Sequence, residues 1–215
     1  MRDPVRHETV RVTSPAGPTI GDRMTTQPVT EPQTTEPEGS ETHGHLTLFI
    51  GDERRTSDAA LGIALRGAGH NLRVHVIEFL KTGRERGEVA AVSLLTGVSL
   101  SQYGYVEAPH TVAEVPGAGI APERLEAALR EARVHVRQRV TNILILDGLL
   151  TVIDEGLVPD TVVTELVSMS APWLDIVLTG QSAPDGLIEI ADSVTAMQVI
   201  KDNSGGESVR RGIHY

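Results

Sequence analysis

The chain has 215 residues and a mass of 23.0 kDa, enough for one globular domain with an extension. Nineteen Lys and Arg against twenty-nine Asp and Glu give a formal charge of −10, which leaves little diffuse attraction for nucleic-acid phosphate or anionic lipid. The absence of cysteine excludes disulfides, thiolate metal sites and cysteine nucleophiles, and no apolar run reaches the roughly 18 residues of a membrane span or forms a secretory leader core.

These exclusions lead to the expectation of a cytoplasmic protein with neither nucleic acid nor membrane as partner. Residues 1–44 read as a disordered tail rich in Pro, Thr and Glu. They hold six of the twelve prolines and no aromatic residue, too little apolar surface to offset the entropy of ordering. Met24, followed by Thr25-Thr26-Gln27-Pro28, reads as the true translation start. His43 and His45 flank Gly44, but two histidines without a third ligand in reach define no metal site.

From His45 onward the pattern is that of a folded domain, residues 45–215. Leu46 to Ile50 is a short apolar β-rich run that ends in Gly51 and reads as a buried strand. Ala59 to Ala68 has helical spacing, with Leu61, Ala64 and Leu65 on one face and Gly69 as its stop. Leu72 to Phe79 is a second strand. Pro122 to Val140 is a helix: proline opens it, and Leu125, Ala128, Leu129 and Ala132 recur in step. Ile143 to Asp147 is a strand, Asp160 to Met169 a helix, Leu174 to Leu178 a strand, Pro184 to Ala191 a helix, and Val194 to Ile200 a last strand. Strands apolar on both faces, alternating with helices, predict an α/β domain of three layers. Its sheet is mostly parallel and its helices cover both faces. In such folds ligands bind beyond the carboxyl ends of the strands. That directs attention to Gly51–Ser57, to the segments after Phe79 and Leu146, and to Thr179-Gly180.

A strand, a glycine, a polar loop and a helix make the layout of a phosphate-binding P-loop. In such a loop, glycines turn backbone N–H groups inward, a lysine neutralises phosphate and a hydroxyl holds Mg²⁺. Several blocks carry a more specific likeness. Gly51-Asp52-Glu53-Arg54-Arg55-Thr56-Ser57-Asp58-Ala59-Ala60 stands where the pattern G-N-G-K-G-K-T-T-A-A would, and Gly62-Ile63-Ala64-Leu65-Arg66-Gly67-Ala68-Gly69-His70 follows G-x-A-L-R-x-x-G-H. Glu78-Phe79-Leu80-Lys81 is similar to Q-F-I-K, and Leu178-Thr179-Gly180-Gln181-Ser182-Ala183-Pro184 to L-T-G-R-x-A-P. Leu187-Ile188-Glu189-Ile190-Ala191-Asp192-Ser193-Val194-Thr195 is similar to L-I-E-x-A-D-x-V-T, and Arg211-Gly212-Ile213-His214-Tyr215 to K-G-I-E-Y. In order and spacing, residues 46–215 resemble the P-loop-type ATP:corrinoid adenosyltransferases, the cob(I)alamin adenosyltransferase family.

The resemblance implies a P-loop-like fold, ATP with Mg²⁺ or Mn²⁺, and a corrinoid substrate. In the reaction, the cobalt of cob(I)alamin or of a corrinoid precursor attacks the 5′ carbon of ATP and triphosphate leaves. Carried over position by position, it implies nucleotide contacts from Gly51, Arg54, Arg55, Thr56, Ser57, Lys81 and Gly180, and a metal held by Ser57 and Asp147. Tyr103 and Tyr105 are the aromatic residues placed to stack on a corrin; both equally suit exposed loop positions. No catalytic residue is singled out, and no G-x-S-x-G elbow exists to support a hydrolase triad.

The departures from the family pattern gather at the charged positions. Thr56 stands at the P-loop lysine, Arg55 at the glycine just before it, Asp58 after the hydroxyl, Gly148 at the glutamate after Asp147, and Gln181 at the arginine after Thr-Gly. Over Gly51–Asp58, Arg54 and Arg55 give +2 while Asp52, Glu53 and Asp58 give −3, a net −1. ATP carries about −4, so the change of sign costs on the order of a few kcal/mol. Asp147 also suits a plain helix cap. His70 suits a helix end, His75 a satisfied strand position, His135 a solvated helix face, and Trp173 packing. Three functions remain open. One is an adenosyltransferase in which Arg54 and Arg55 replace the lysines. Another is a non-catalytic relative with a corrinoid or partner surface. The third is a regulatory subunit that pairs with an active paralogue. A homodimer is open under each.

Overall fold

The computed structural model describes residues 44–81, 87–104, 122–201 and 211–213. The tail with Met24 and His43, the corrin-stacking position Tyr105, and the closing His214-Tyr215 lie outside these residues. Among the described residues, six strands form one sheet: β1 (Leu46–Gly51), β2 (Val74–Phe79), β3 (Val98–Tyr103), β4 (Ile143–Asp147), β5 (Asp175–Gly180) and β6 (Ser193–Met197). Their order is β3-β2-β4-β5-β1-β6, and every neighbouring pair is parallel. The helices are α1 (Glu53–Gly69), α2 (Gly87–Val92), α3 (Pro122–Arg137), α4 (Leu149–Asp154), α5 (Asp160–Ser168) and α6 (Asp185–Ile190). None is long and apolar enough to cross a membrane.

Side chains alternate across each strand, and the two sets build two cores. Val74, Val76, Ile143, Ile145 and Val177 face α1, where small Ala60 and Ala64 let the helix lie close. A Cβ on Gly67 would come within 2.9 Å of Val74 Cγ2. On the other face, Leu48, Ile77, Phe79, Leu144, Leu146 and Leu178 pack with Leu125, Leu129 and Val136 of α3, Val152 of α4, and Val163 and Leu166 of α5. Each fully buried side chain of this size contributes about 1.5–3 kcal/mol. The expected three-layer α/β architecture is therefore present, with α1 on one face and α3, α4 and α5 on the other.

Register gathers the carboxyl ends. Ile50 pairs with Gly180, Leu146 with Leu178, and Glu78 with Asp147, so β1, β5, β4 and β2 finish side by side.

Four local readings of the sequence change. First, α1 begins at Glu53, six residues before Ala59, because the Asp52 carboxylate caps its first turn by accepting the Arg55 amide at 3.1 Å. Second, its buried face is Thr56, Ser57, Ala60, Ala64 and Gly67, while Leu65 is 60% exposed. Third, Val98–Tyr103, given no element from the sequence and ending in a tyrosine that suits a loop, is edge strand β3, and Leu149–Asp154 forms the short buried helix α4. Fourth, His135 is partly buried and stacks on His75, with ring centroids 4.0 Å apart. Trp173 packs against the core as expected, with the Arg139 guanidinium over its ring at 5.3 Å.

Candidate functional site

Asp147 ends β4 and is fully buried. A carboxylate can live there only with donors around it. Its Oδ1 accepts from Ser57 Oγ at 2.8 Å and from Thr179 Oγ1 at 2.6 Å, and its Oδ2 accepts from Lys81 Nζ at 2.7 Å. Lys81 Nζ also donates to Ser57 Oγ. Thr179 Oγ1 in turn accepts the Gly148 amide at 2.8 Å. One carboxylate thus joins α1, β4, β5 and the segment that follows β2.

Backbone geometry sets this up. Leu80 adopts φ 58°, a left-handed conformation uncommon for a bulky residue, and its amide donates to Tyr103 O at 3.2 Å. That turn sits immediately before Lys81, whose ammonium reaches Asp147. Gly148 has φ 88° at the head of α4, where a Cβ would stand 3.0 Å from Phe79 O. A glutamate at that position would be strained.

Above Asp147 lies a cavity of about 130 Å³, lined by Glu53, Ser57, Lys81, Thr151, Glu155, Thr179 and Gly180 among others. Glu53 Oε1 accepts from Thr151 Oγ1 at 2.8 Å. The lining thus carries the Glu53 and Glu155 carboxylates as well as the Lys81 ammonium, with Asp147 beneath. At the mouth of α1 a second, open hollow of about 480 Å³ is lined by Gly51, Asp52, Glu53, Arg54 and Gln181.

Ser57, Lys81, Asp147 and Gly180, singled out from the sequence, meet at the first cavity, and Gly51 and Arg54 meet at the second. Arg55 pairs with Asp58 at 3.7 Å on the helix surface. Partial burial raises the Asp58 pKa, and the Arg55 and Arg54 charges oppose that rise. Thr56 is buried, and its amide donates to Asp52 O at 2.9 Å and its hydroxyl to Glu53 O at 3.0 Å. The two glycines serve packing. A Cβ on Gly51, at φ 129°, would stand 2.2 Å from Met197 O, and one on Gly180 would stand 2.5 Å from Leu150 Cβ. Tyr103 ends β3 and packs partly buried against the α3-side core; burial, then the neighbouring Glu131 carboxylate, raises its pKa.

The sequence directs attention to Thr179, and to Glu53 as part of Gly51–Ser57, without giving either a role, and does not single out Glu78, Thr151 or Glu155. Glu53 lies one turn before Ser57, a spacing that becomes visible once the helix is known to start there. Glu78 is fully buried beside Asp147 in register and accepts from Gln102 Nε2 at 2.7 Å.

A P-loop offers Mg²⁺ a hydroxyl and a carboxylate, and the resemblance implies Ser57 and Asp147 for these parts. Here the Lys81 ammonium is bonded to both. A dication between them would face a unit positive charge at contact distance, so the residues as arranged do not fit a divalent metal.

The chain matches the family described as ATP:corrinoid adenosyltransferase BtuR/CobO/CobP over residues 42–215. It is 26% identical over 184 residues to the corrinoid adenosyltransferase of Pseudomonas aeruginosa, covering 80% of this chain and 84% of that one. To the corrinoid adenosyltransferase of Escherichia coli K12 it is 24% identical over 183 residues, covering 80% and 86%. An uncharacterized Nostoc protein, all2391, is 26% identical over 189 residues, covering 79% of this chain and 48% of its own length.

Proposed function

The chain belongs to the ATP:corrinoid adenosyltransferase family, and on that premise we propose that it is a non-catalytic relative, one that keeps the fold and a corrinoid or partner surface but no longer holds Mg-ATP. The domain of this function is residues 45–215, and its setting is the cytoplasm. In the family's reaction the cobalt of a reduced corrinoid gives an electron pair to the 5′ carbon of ATP, and the carbon–oxygen bond breaks to release triphosphate. Such a reaction depends on positioning and on cations at the leaving group.

The observation that carries the reading is the placement of Lys81. The Lys81 ammonium, the cation lining this cavity, is bonded to Asp147 and Ser57, and Glu53 brings a carboxylate to the same lining. Each negative charge brought within about 6 Å of one carboxylate meets roughly 3 kcal/mol of repulsion at an effective dielectric near 20, before water screens it. The first turn of α1 supports the same conclusion. Its Arg55 and Thr56 amides are bonded to Asp52, so they do not form an anion cradle.

One observation favours a second reading, an active adenosyltransferase with a rebuilt site: Arg54 lines the hollow at the mouth of α1 beside Gly51. In that reading Gly51, Arg54, Arg55, Thr56, Ser57, Lys81 and Gly180 surround the nucleotide, and Tyr103 with Tyr105 meets the corrin. The experiment is a titration of the full chain with Mg-ATP, followed thermally, next to an assay for the adenosylated spectrum from cob(I)alamin. The non-catalytic reading expects neither a thermal shift at millimolar Mg-ATP nor a spectral change. Turnover that disappears in the Arg54→Ala, Arg55→Ala double variant would establish the second reading instead. Co-purification with an active adenosyltransferase chain would identify the partner as a paralogue, and self-association would identify a homodimer.

A further inference from the structure

We propose that His75, Glu131 and His135 form a binding site for a first-row divalent cation of the zinc class, at the opposite end of β2 from Lys81. His75 is the second residue of β2, and the four strand residues that follow it run about 13 Å to Phe79, with the Leu80 turn still between there and Lys81. The site is therefore remote from the cavity over Asp147. Glu131 and His135 stand at i and i+4 on α3, one above the other on one face. One ligand atom from each of the three residues lies within 4.8 Å of the others.

The outer partners select the ligating atoms. His75 Nδ1 is held by Ser99 Oγ at 2.7 Å, Ser99 being its register partner on β3. His135 Nδ1 is held by Thr141 Oγ1 at 2.6 Å. Each pin leaves Nε2 as the nitrogen for a metal, the arrangement in which a hydroxyl or carboxylate orients a ligating imidazole. Glu131 Oε1 already lies 3.2 Å from His75 Nε2 and accepts from Ser101 Oγ at 2.9 Å, while its Oε2 is buried with no hydrogen bond. A cation would satisfy that oxygen.

Burial lowers the pKa of both imidazoles. Glu131 opposes the shift in each, and the charge of His75 adds to it in His135. The rings stack nearly parallel, at 8°. Both are thus held in the neutral form that binds metal. Two imidazoles and a carboxylate suit Zn²⁺, Co²⁺ or Ni²⁺, whereas Mg²⁺ prefers oxygen alone. With metal–ligand bonds of about 2.0–2.1 Å, tetrahedral donors stand about 3.3 Å apart. Closure onto the ion therefore requires Glu131 and His135, both partly exposed, to move inward. Bound metal would clamp α3 to the β2–β3 edge of the sheet.

The test uses the full chain after chelator treatment, titrated with Co²⁺ and then Zn²⁺. One equivalent should bind, with the visible bands of low-coordinate Co²⁺ and a rise in thermal midpoint that Mg²⁺ does not produce. Thr141→Val, which removes an outer partner, should weaken Zn²⁺ binding about tenfold. His135→Ala and Glu131→Gln, which remove ligands, should weaken it by about a hundredfold or more. Failure of the wild-type chain to bind Co²⁺ with these bands, or undiminished binding in either ligand variant, overturns the site. In the latter case the ion sits elsewhere.

Discussion

Replacing Lys81 with methionine keeps most of the side chain's bulk and deletes its ammonium, leaving Asp147 buried without a cation. At 2.7 Å and an effective dielectric near 20, the lost attraction is about 6 kcal/mol. Desolvation of both groups offsets part of that, and removing one partner of a buried pair costs about 3–5 kcal/mol. The Asp147 side chain is 1% exposed and that of Lys81 19%, so water can enter from the cavity side once the ammonium is gone. The hydroxyls of Ser57 and Thr179 also remain on the carboxylate. Both facts place the effect near 3 kcal/mol, at the low end of that range. At about 2–4 °C per kcal/mol for a domain of this size, the thermal midpoint should fall by roughly 6–12 °C. A second change, Asp147→Asn, should recover much of the loss by removing the stranded charge. Without the ammonium, Ser57 and Asp147 become a plain hydroxyl–carboxylate pair. Millimolar Mg²⁺ or Mn²⁺ should then stabilise Lys81→Met and leave the wild-type chain unmoved. If the variant melts within about 1 °C of wild type, or if Mg²⁺ raises both alike, Lys81 is not the counter-ion argued for here.

Three further outcomes follow from the geometry. Gly180→Ala places a Cβ 2.5 Å from Leu150 Cβ and 2.6 Å from Thr151 N, and should cost about 1–3 kcal/mol in denaturant unfolding as β5 is pushed from α4. Asp52→Ala removes the cap on the Arg55 amide and should cost about 1 kcal/mol, whereas Asp52→Asn should cost less because the amide oxygen still accepts. The histidine pair makes the metal-free protein sensitive to acid. Both folded pKa values lie below the ordinary 6.5, so the unfolded chain binds more protons as pH falls from there. Stability is full above that value and declines below it, and His135→Gln should flatten the decline in unfolding curves measured across pH.

The layer order was legible in the sequence because it rests on repetition. Runs such as Ile143–Leu146, apolar on both faces, occur in parallel sheets covered on both sides, and α3 announced itself by proline and by apolar residues in step. β3 escaped because Val98-Ser99-Leu100-Ser101-Gln102 is a polar edge, where alternation alone separates a strand from a loop. α4 escaped because its six residues are too few to show a helical period. The start of α1 turned on a single side chain. Asp52, counted from the sequence as one negative charge in a loop, is a helix cap, and that changes the loop into the first turn of a helix. At the site, Ser57, Lys81 and Asp147 were each found by resemblance, while their mutual bonding was not. It depends on the Leu80 turn, on the β2–β4 pairing and on α1 lying over β4, which put residues 24, 66 and 90 positions apart into contact. The histidine cluster was missed for a related reason. His75 and His135 look unremarkable singly, and only the packing of α3 over β2 makes them neighbours.

Asp147 is where a helix, two strands and the exit of a third are tied to a single pair of oxygens. A region that nucleotide-handling folds leave free to part and reclose is here a fastening. The amides of Gly148, Thr179 and Gly180 should consequently exchange with solvent as slowly as those in the middle of the sheet.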